Sequence, residues 1–167
     1  IMLHTEDWLF YLNISNISDK NIKVIKFMFL WMKYNEWYSK FGLRDSEGAA
    51  KLSDDAKARD LYEQMKDEFL NGGRSITTGF KNIPLENGNL THREGLYKNN
   101  GKLLCAYNDD VNCLCKYLKV VYKIRCNFFH GDKLPSDTNV SLIIWAYETL
   151  DMLLQKLIRE NVIDLKL

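Results

Sequence analysis

The stretch that decides the fold class is DDVNCLCKYLKVVYKIRCNFFHG, residues 109–131. Its apolar residues recur every three or four positions, which is the spacing of one helix face, and Gly131 follows as a typical stop. This face consists of Val111, Leu114, Leu118, Val121, Tyr122, Ile124, Phe128 and Phe129. We therefore predict a long helix that begins at Asp109 and Asp110 and ends at Gly131.

Three further segments have the same spacing, and each begins with residues that favour a helix N-terminus. Ser18 precedes a predicted helix over about residues 19–41, and Ser53 starts a second near residues 53–70. A last helix covers about residues 135–161 and opens with Pro-Ser-Asp. The pattern thus predicts at least four helices.

The first of these helices is apolar on two faces. One face carries Ile22, Ile25, Phe29, Met32, Trp37 and Phe41, and the other carries Phe27, Leu30, Trp31 and Tyr38. A helix that is apolar most of the way round is usually enclosed by other elements. We therefore predict that this helix lies at the centre of the fold.

Residues 71–109 differ from the rest, because six of the nine glycines and Pro84 fall there. Such a composition predicts a long connection, with a small hairpin around residues 102–106. A length of 167 residues is typical of one domain, so we take residues 1–167 as a single domain. The predicted class is all-α, with a long loop insertion near residues 71–109.

Composition excludes several classes of protein. Lys and Arg number 23 and Asp and Glu 22, so the net charge of +1 argues against general polyanion coating, while a local basic site stays possible. The longest apolar run, Phe27–Met32, is too short to span a membrane, and acid in the first seven residues argues against a signal peptide. The cysteines form no Cys-x-x-Cys pair, so we expect reduced thiols, a cytoplasmic location and no metal or cofactor.

A charged residue interrupts the apolar face of the helix within residues 109–131. Arg125 cannot lose its charge and is expensive to bury unpaired, so it needs a carboxylate of the protein or a bound phosphate. His130 stands at the helix end, where Gly131 lets the chain unwind, and Asn127 lies three residues before it. The spacing allows Arg125, Asn127 and His130 to line one pocket suited to phosphate binding and proton transfer. The structural alternative is that a histidine at a helix end complements the helix dipole.

Two other interpretations of these residues stay open at this stage. Glu36 is a possible salt-bridge partner of Arg125, which would make the arginine structural. Cys126 and His130 are four residues apart on one helix, but two ligands are too few for structural zinc.

The remaining histidines and two tryptophans have ordinary interpretations. His4 and His92 are expected in exposed loops. Trp31 and Trp145 are expected in the core, although a dimer interface would also use such side chains.

The segment IRCNFFHGDK, residues 124–133, resembles the Arg-x4–6-His signature of the HEPN superfamily (higher eukaryotes and prokaryotes nucleotide-binding domains). It is most similar to the branch whose motif reads Arg-x-Asn-Leu-Phe-His-Gly. Leu30 to Tyr38 also resembles the first long helix of that branch. The resemblance covers the four helices and not residues 71–109. It implies an up-and-down bundle of four to five helices that forms a homodimer, with two motifs in one cleft.

The resemblance also implies a metal-independent endoribonuclease. Arg125 would hold the scissile phosphate, and His130 would be the general acid or base in attack of the ribose 2′-hydroxyl. Asn127 would support the phosphate or the histidine tautomer, and the products would carry a 2′,3′-cyclic phosphate and a free 5′-hydroxyl. Cys126 departs from the pattern, because active members often have Asn, Asp or His there.

Further expectations follow from the same resemblance. Supporting residues are expected to be Cys126, Asn35, Glu36, Tyr38, Asp132 and Lys133. Expected partners are RNA, a second copy of the chain, and an antitoxin or nucleotidyltransferase, in a toxin, phage-defence or stress-response setting. The alternative is a non-catalytic module of the same fold that binds a nucleotide, RNA or a protein.

Overall fold

A computed structural model describes residue 11 and residues 18–68, 75–83, 96–97, 103–105, 111–129 and 135–167. The predicted all-α class is confirmed. The helices are α1 (Asp19–Ser39), α2 (Asp45–Ala49), a 3-10 helix (Lys51–Asp54), α3 (Ala56–Met65), α4 (Ile76–Lys81), α5 (Leu114–Phe129) and α6 (Asp137–Arg159). Two short antiparallel strands, β1 (Leu96–Tyr97) and β2 (Leu103–Cys105), lie where the sequence predicts a small hairpin.

Serine caps fix the starts of the two longest helices, as predicted. The Ser18 hydroxyl accepts the backbone N–H of Asn21 at 3.3 Å, and the Ser136 hydroxyl accepts that of Asn139 at 3.2 Å. Each bond satisfies one of the backbone donors that a helix N-terminus leaves free. Local sequence therefore determines both starting points.

Other boundaries differ from the predictions. The predicted helix over residues 53–70 is divided at Asp55, whose extended backbone separates the 3-10 helix from α3 and whose carboxylate accepts the N–H of Ala58 at 2.9 Å. α5 begins at Leu114 and not at Asp109, because residues 111–113 form a turn. α2 and α4 were not predicted, since helices of five and six residues carry too few apolar positions to show a period.

α5, and not α1, is the central helix. All 16 residues of α5 are buried or half-buried, and it contacts α2, the 3-10 helix, α3 and α6, while aromatic rings of α1 pack on it. The predicted central position of α1 is wrong, because one of its two apolar faces is exposed. On that face Ile25, Phe29, Met32 and Phe41 are exposed, with Phe29 63% exposed, and Met28 beside them is exposed as well. Ile22 and Trp37 are half-buried.

Buried tyrosines attach α5 to its neighbours. The Tyr62 hydroxyl of α3 donates to the Val111 carbonyl at 2.5 Å, just before α5. The Tyr117 hydroxyl of α5 bonds that of Thr149 in α6 at 2.7 Å. Burial raises the pKa of both Tyr62 and Tyr117, because an ionised phenol loses its hydration in the core. Two elements distant in sequence thus hold the first half of α5.

Ring contacts show that α1 and α5 run in opposite directions. Phe27 lies 6.5 Å from Phe128 and Trp31 lies 6.1 Å from Tyr122, measured between ring centroids. Advancing along α1 therefore means moving backward along α5. The end of α5 that carries the motif faces the first half of α1. No helix of the described ranges is long and apolar enough to cross a membrane.

Candidate functional site

The side chain of Arg125 forms the centre of the candidate site. It is half-buried in the last turns of α5, and its guanidinium carbon lies 4.7 Å from the centroid of the Phe129 ring. Nη1 donates to the Cys126 sulfur at 3.8 Å, a weak acceptor, and the buried Nε–H has no hydrogen-bond partner. The cation is thus held by an aromatic face and a thiol, neither of which neutralises its charge.

The internal salt bridge considered for Arg125 is not formed. The Glu36 carboxylate pairs with Lys33 at 3.6 Å and is 60% exposed. Among the residues that the structure describes, no carboxylate forms an ion pair with Arg125. The interpretation of Arg125 as half of an internal ion pair with Glu36 is therefore wrong.

The other motif residues are placed differently from Arg125. Asn127 is only 4% exposed, and two positions along a helix turn a side chain by about 200°, so it lies on the core side of α5. Cys126 is half-buried beside the guanidinium. His130 follows the last residue of α5 directly, and His130, Asp132 and Lys133 lie outside the described residues.

The three supporting residues predicted on α1 are not brought to Arg125. Asn35 and Glu36 are exposed, and the ring of Tyr38 is buried edge-on against Trp31. Because α1 and α5 run in opposite directions, these positions lie level with the first half of α5, between about 6 and 10 Å along the helix axis from the level of Trp31. Tyr38 is a core residue.

Both tryptophans considered for a dimer interface are core residues. Trp31 is 1% exposed and Trp145 is 2% exposed. The Trp145 indole donates to the Ile76 carbonyl at 3.1 Å, whereas the buried Trp31 indole N–H has no acceptor. The described residues thus include two buried donors without hydrogen-bond partners, the Trp31 indole N–H and the Arg125 Nε–H.

Cysteine thiols and possible metal ligands form no further functional site in the described ranges. Cys113, Cys115 and Cys126 are free thiols. No group of three or more His, Cys, Asp or Glu side chains in the described ranges is arranged to hold a metal ion. Of the two residues considered as a metal-binding pair, Cys126 is described and His130 lies outside the described residues.

One feature of α5 was missed by the sequence interpretation. Its 16 residues include Lys116, Lys119, Lys123 and Arg125 and no acidic residue. The signal was available in the sequence, because a helix with four cations and no acid has no internal compensation.

Comparisons with known proteins do not identify the chain. No family model, curated protein or solved structure matches it.

Proposed function

We propose that the protein is a metal-independent endoribonuclease in which Arg125 binds the scissile phosphate and His130 transfers protons. One observation carries the proposal. The half-buried Arg125 guanidinium has no described carboxylate partner and retains a buried donor without an acceptor. A phosphodiester oxygen is the kind of acceptor that such a guanidinium binds best.

The proposed reaction is transesterification within RNA. A base removes the proton of the ribose 2′-hydroxyl, the 2′-oxygen bonds to phosphorus, and the bond from phosphorus to the 5′-oxygen breaks. The leaving oxygen takes up a proton, so the products are a 2′,3′-cyclic phosphate and a 5′-hydroxyl. Arg125 stabilises the negative charge on the phosphate, and an imidazole such as that of His130 transfers protons near neutral pH.

A homodimer is part of the proposal, because the resemblance to HEPN domains requires two motifs in one cleft. The exposed face of α1 supports it: Phe29 and Met32 are 63% and 58% exposed, with Ile25 and Met28 beside them. Contiguous exposed apolar side chains mark interaction surfaces. An antitoxin or nucleotidyltransferase partner and a toxin or phage-defence role are proposals from the same resemblance, whereas a cytoplasmic location is proposed from the cysteine pattern.

One observation favours a non-catalytic module instead. Arg125 directs a donor to the Cys126 thiol, at the position where active HEPN members often carry a polar residue. A module of this kind would bind a nucleotide, RNA or a protein without cleaving RNA.

A cleavage assay in EDTA separates the two functions. Wild-type protein is expected to produce cyclic-phosphate ends, and Arg125→Ala and His130→Ala are each expected to lower the rate at least about 100-fold. Arg159→Ala and His92→Ala are matched controls, since each removes the same residue type elsewhere. Binding without cleavage by wild type, or cleavage unaffected by Arg125→Ala, would contradict the proposed reaction.

A further inference from the structure

The cations of α5 have no acidic partner among the described residues. α5 carries Lys116, Lys119, Lys123 and Arg125 and no Asp or Glu. None of the six ion pairs between described residues includes one of them. Uncompensated like charges repel each other and create a local positive potential, which the total charge of +1 does not reveal.

Three acids on the elements packed against α5 form ion pairs with cations outside α5. On the 3-10 helix, Asp54 pairs with Lys51 at 3.2 Å. Glu63 of α3 pairs with Lys66 at 2.7 Å, and Glu148 of α6 pairs with Lys23 at 2.6 Å. These three carboxylates are therefore paired with other cations, and no ion pair between described residues includes a cation of α5.

The three lysines form one row, and the Arg125 side chain starts from another face of α5 but brings its guanidinium to the end of this row. Lys116, Lys119, Lys123 and Cys126 are spaced by three, four and three residues, so they lie on one face of α5. Nη1 of Arg125 lies 3.8 Å from the Cys126 sulfur, which places the guanidinium at the end of this face. Ten residues of helix give the row a length of about 15 Å.

The surroundings of the row favour a polyanion over a protein partner. Protein interfaces are centred on exposed apolar and aromatic side chains. α5 has no exposed residue, and the exposed large apolar residues of the described ranges lie on or just after α1 or at Leu167. A row of compact ammonium groups matches a chain of phosphates.

We propose that the cation row (Lys116, Lys119, Lys123 and the Arg125 guanidinium) binds the phosphate backbone of a single RNA strand several nucleotides long. The inference rests on the proposed function, because the scissile phosphate lies at the Arg125 end. It specifies the substrate class: an extended strand occupies the whole row, whereas a mononucleotide contacts only one end. The lysines are binding residues, and Arg125 acts on the reacting phosphate.

The test measures binding to an uncleavable strand as a function of salt. Full-length protein is titrated into fluorescent 2′-O-methyl RNA of about twelve nucleotides, and the anisotropy gives the association constant. With a slope of about 0.7 per phosphate contact, four contacts predict a loss in affinity of about 50-fold between 50 and 200 mM salt. The triple variant K116Q/K119Q/K123Q leaves one contact and predicts a loss of about threefold.

Matched variants make the comparison specific. K20Q/K26Q/K40Q removes the same charge from two exposed positions of α1 and from the exposed residue that follows it, and is expected to keep the wild-type salt dependence. K116R/K119R/K123R keeps the charge of the row and is also expected to keep the wild-type salt dependence. Glutamine and arginine both preserve most of the half-buried lysine stem, and circular dichroism checks the fold.

Three results would overturn the proposal that the cation row binds RNA. They are an unchanged salt dependence in the triple glutamine variant, an equal loss of salt dependence in the α1 control variant, or competition by poly-glutamate as strong as that by RNA. The test is independent of cleavage. In cleavable RNA, the glutamine variant is expected to raise KM with kcat retained, whereas Arg125→Ala lowers kcat. If wild-type protein cleaves nothing, the proposed reaction fails, and the salt dependence still decides the row.

Discussion

Replacing Arg125 with methionine tests whether this residue serves the fold or a ligand. The described contacts that it loses are weak: the cation over the Phe129 ring at 4.7 Å contributes about 0.5–1 kcal/mol. The buried Nε–H without a partner costs about 1–3 kcal/mol, and removing it regains that free energy. We therefore expect Arg125→Met to leave the free energy of unfolding unchanged or to raise it by up to about 2 kcal/mol.

A structural arginine would behave in the opposite way. Removing one partner of a buried ion pair costs about 3–5 kcal/mol, because the other charge is left uncompensated. Urea unfolding followed by tryptophan fluorescence and circular dichroism measures the difference. Arg159→Met, at an exposed position at the end of α6, is the matched control and is expected within about 0.5 kcal/mol of wild type.

The stability measurement is combined with the cleavage assay on the same variant. A protein that is as stable as wild type and has lost cleavage identifies Arg125 as a ligand-binding residue. Destabilisation of about 3 kcal/mol or more would refute the reasoning, because it would show that the guanidinium supports the fold through an anionic partner.

Three further predictions concern other parts of the molecule. Gly48→Ala is expected to lower the free energy of unfolding by about 1–3 kcal/mol in urea, because the new Cβ lies 2.6 Å from Cε2 of the buried Tyr38 ring; an unchanged midpoint would contradict this packing. Phe29→Glu is expected to convert a dimer to a monomer in light scattering, and a wild-type protein that is already monomeric would argue against the α1 interface. Burial raises the pKa of Tyr62 and Tyr117 in the folded protein, so both phenols contribute their full stabilisation below about pH 10, the ordinary pKa of tyrosine. Above about pH 10 the free energy of unfolding is expected to fall by about 1.4 kcal/mol per pH unit for each of the two residues, and urea unfolding from about pH 8 to 11 measures this slope.

Much of the helical framework was predictable from the sequence. The starts of α1 and α6 depend on Ser18 and Ser136, whose hydroxyls bond a backbone N–H three residues later. The period of α5 likewise depends on apolar residues within a few positions of each other. Such interactions join residues that are close together in the sequence, which is why the fold class and the four long helices could be predicted.

The arrangement of these helices was decided by tertiary packing. Both faces of α1 are apolar, so the pattern alone could not tell that Phe27 and Trp31 would be buried while Phe29 and Met32 stayed exposed. That choice depends on α5, which follows α1 by some 75 residues and offers aromatic rings to only one of the two faces.

The properties of the candidate site also divide into those set by the sequence and those set by tertiary packing. By itself, the sequence determined that Arg125 lies on an apolar helix face, ahead of a histidine and a glycine stop. Only the tertiary structure decided that Glu36 does not reach Arg125, that Tyr38 belongs to the core, and that the α5 cations form no ion pair with a described carboxylate. The physical reason is distance along the chain: helix formation depends on contacts three or four residues apart, whereas the partner of a charge comes from whichever segment folding brings beside it.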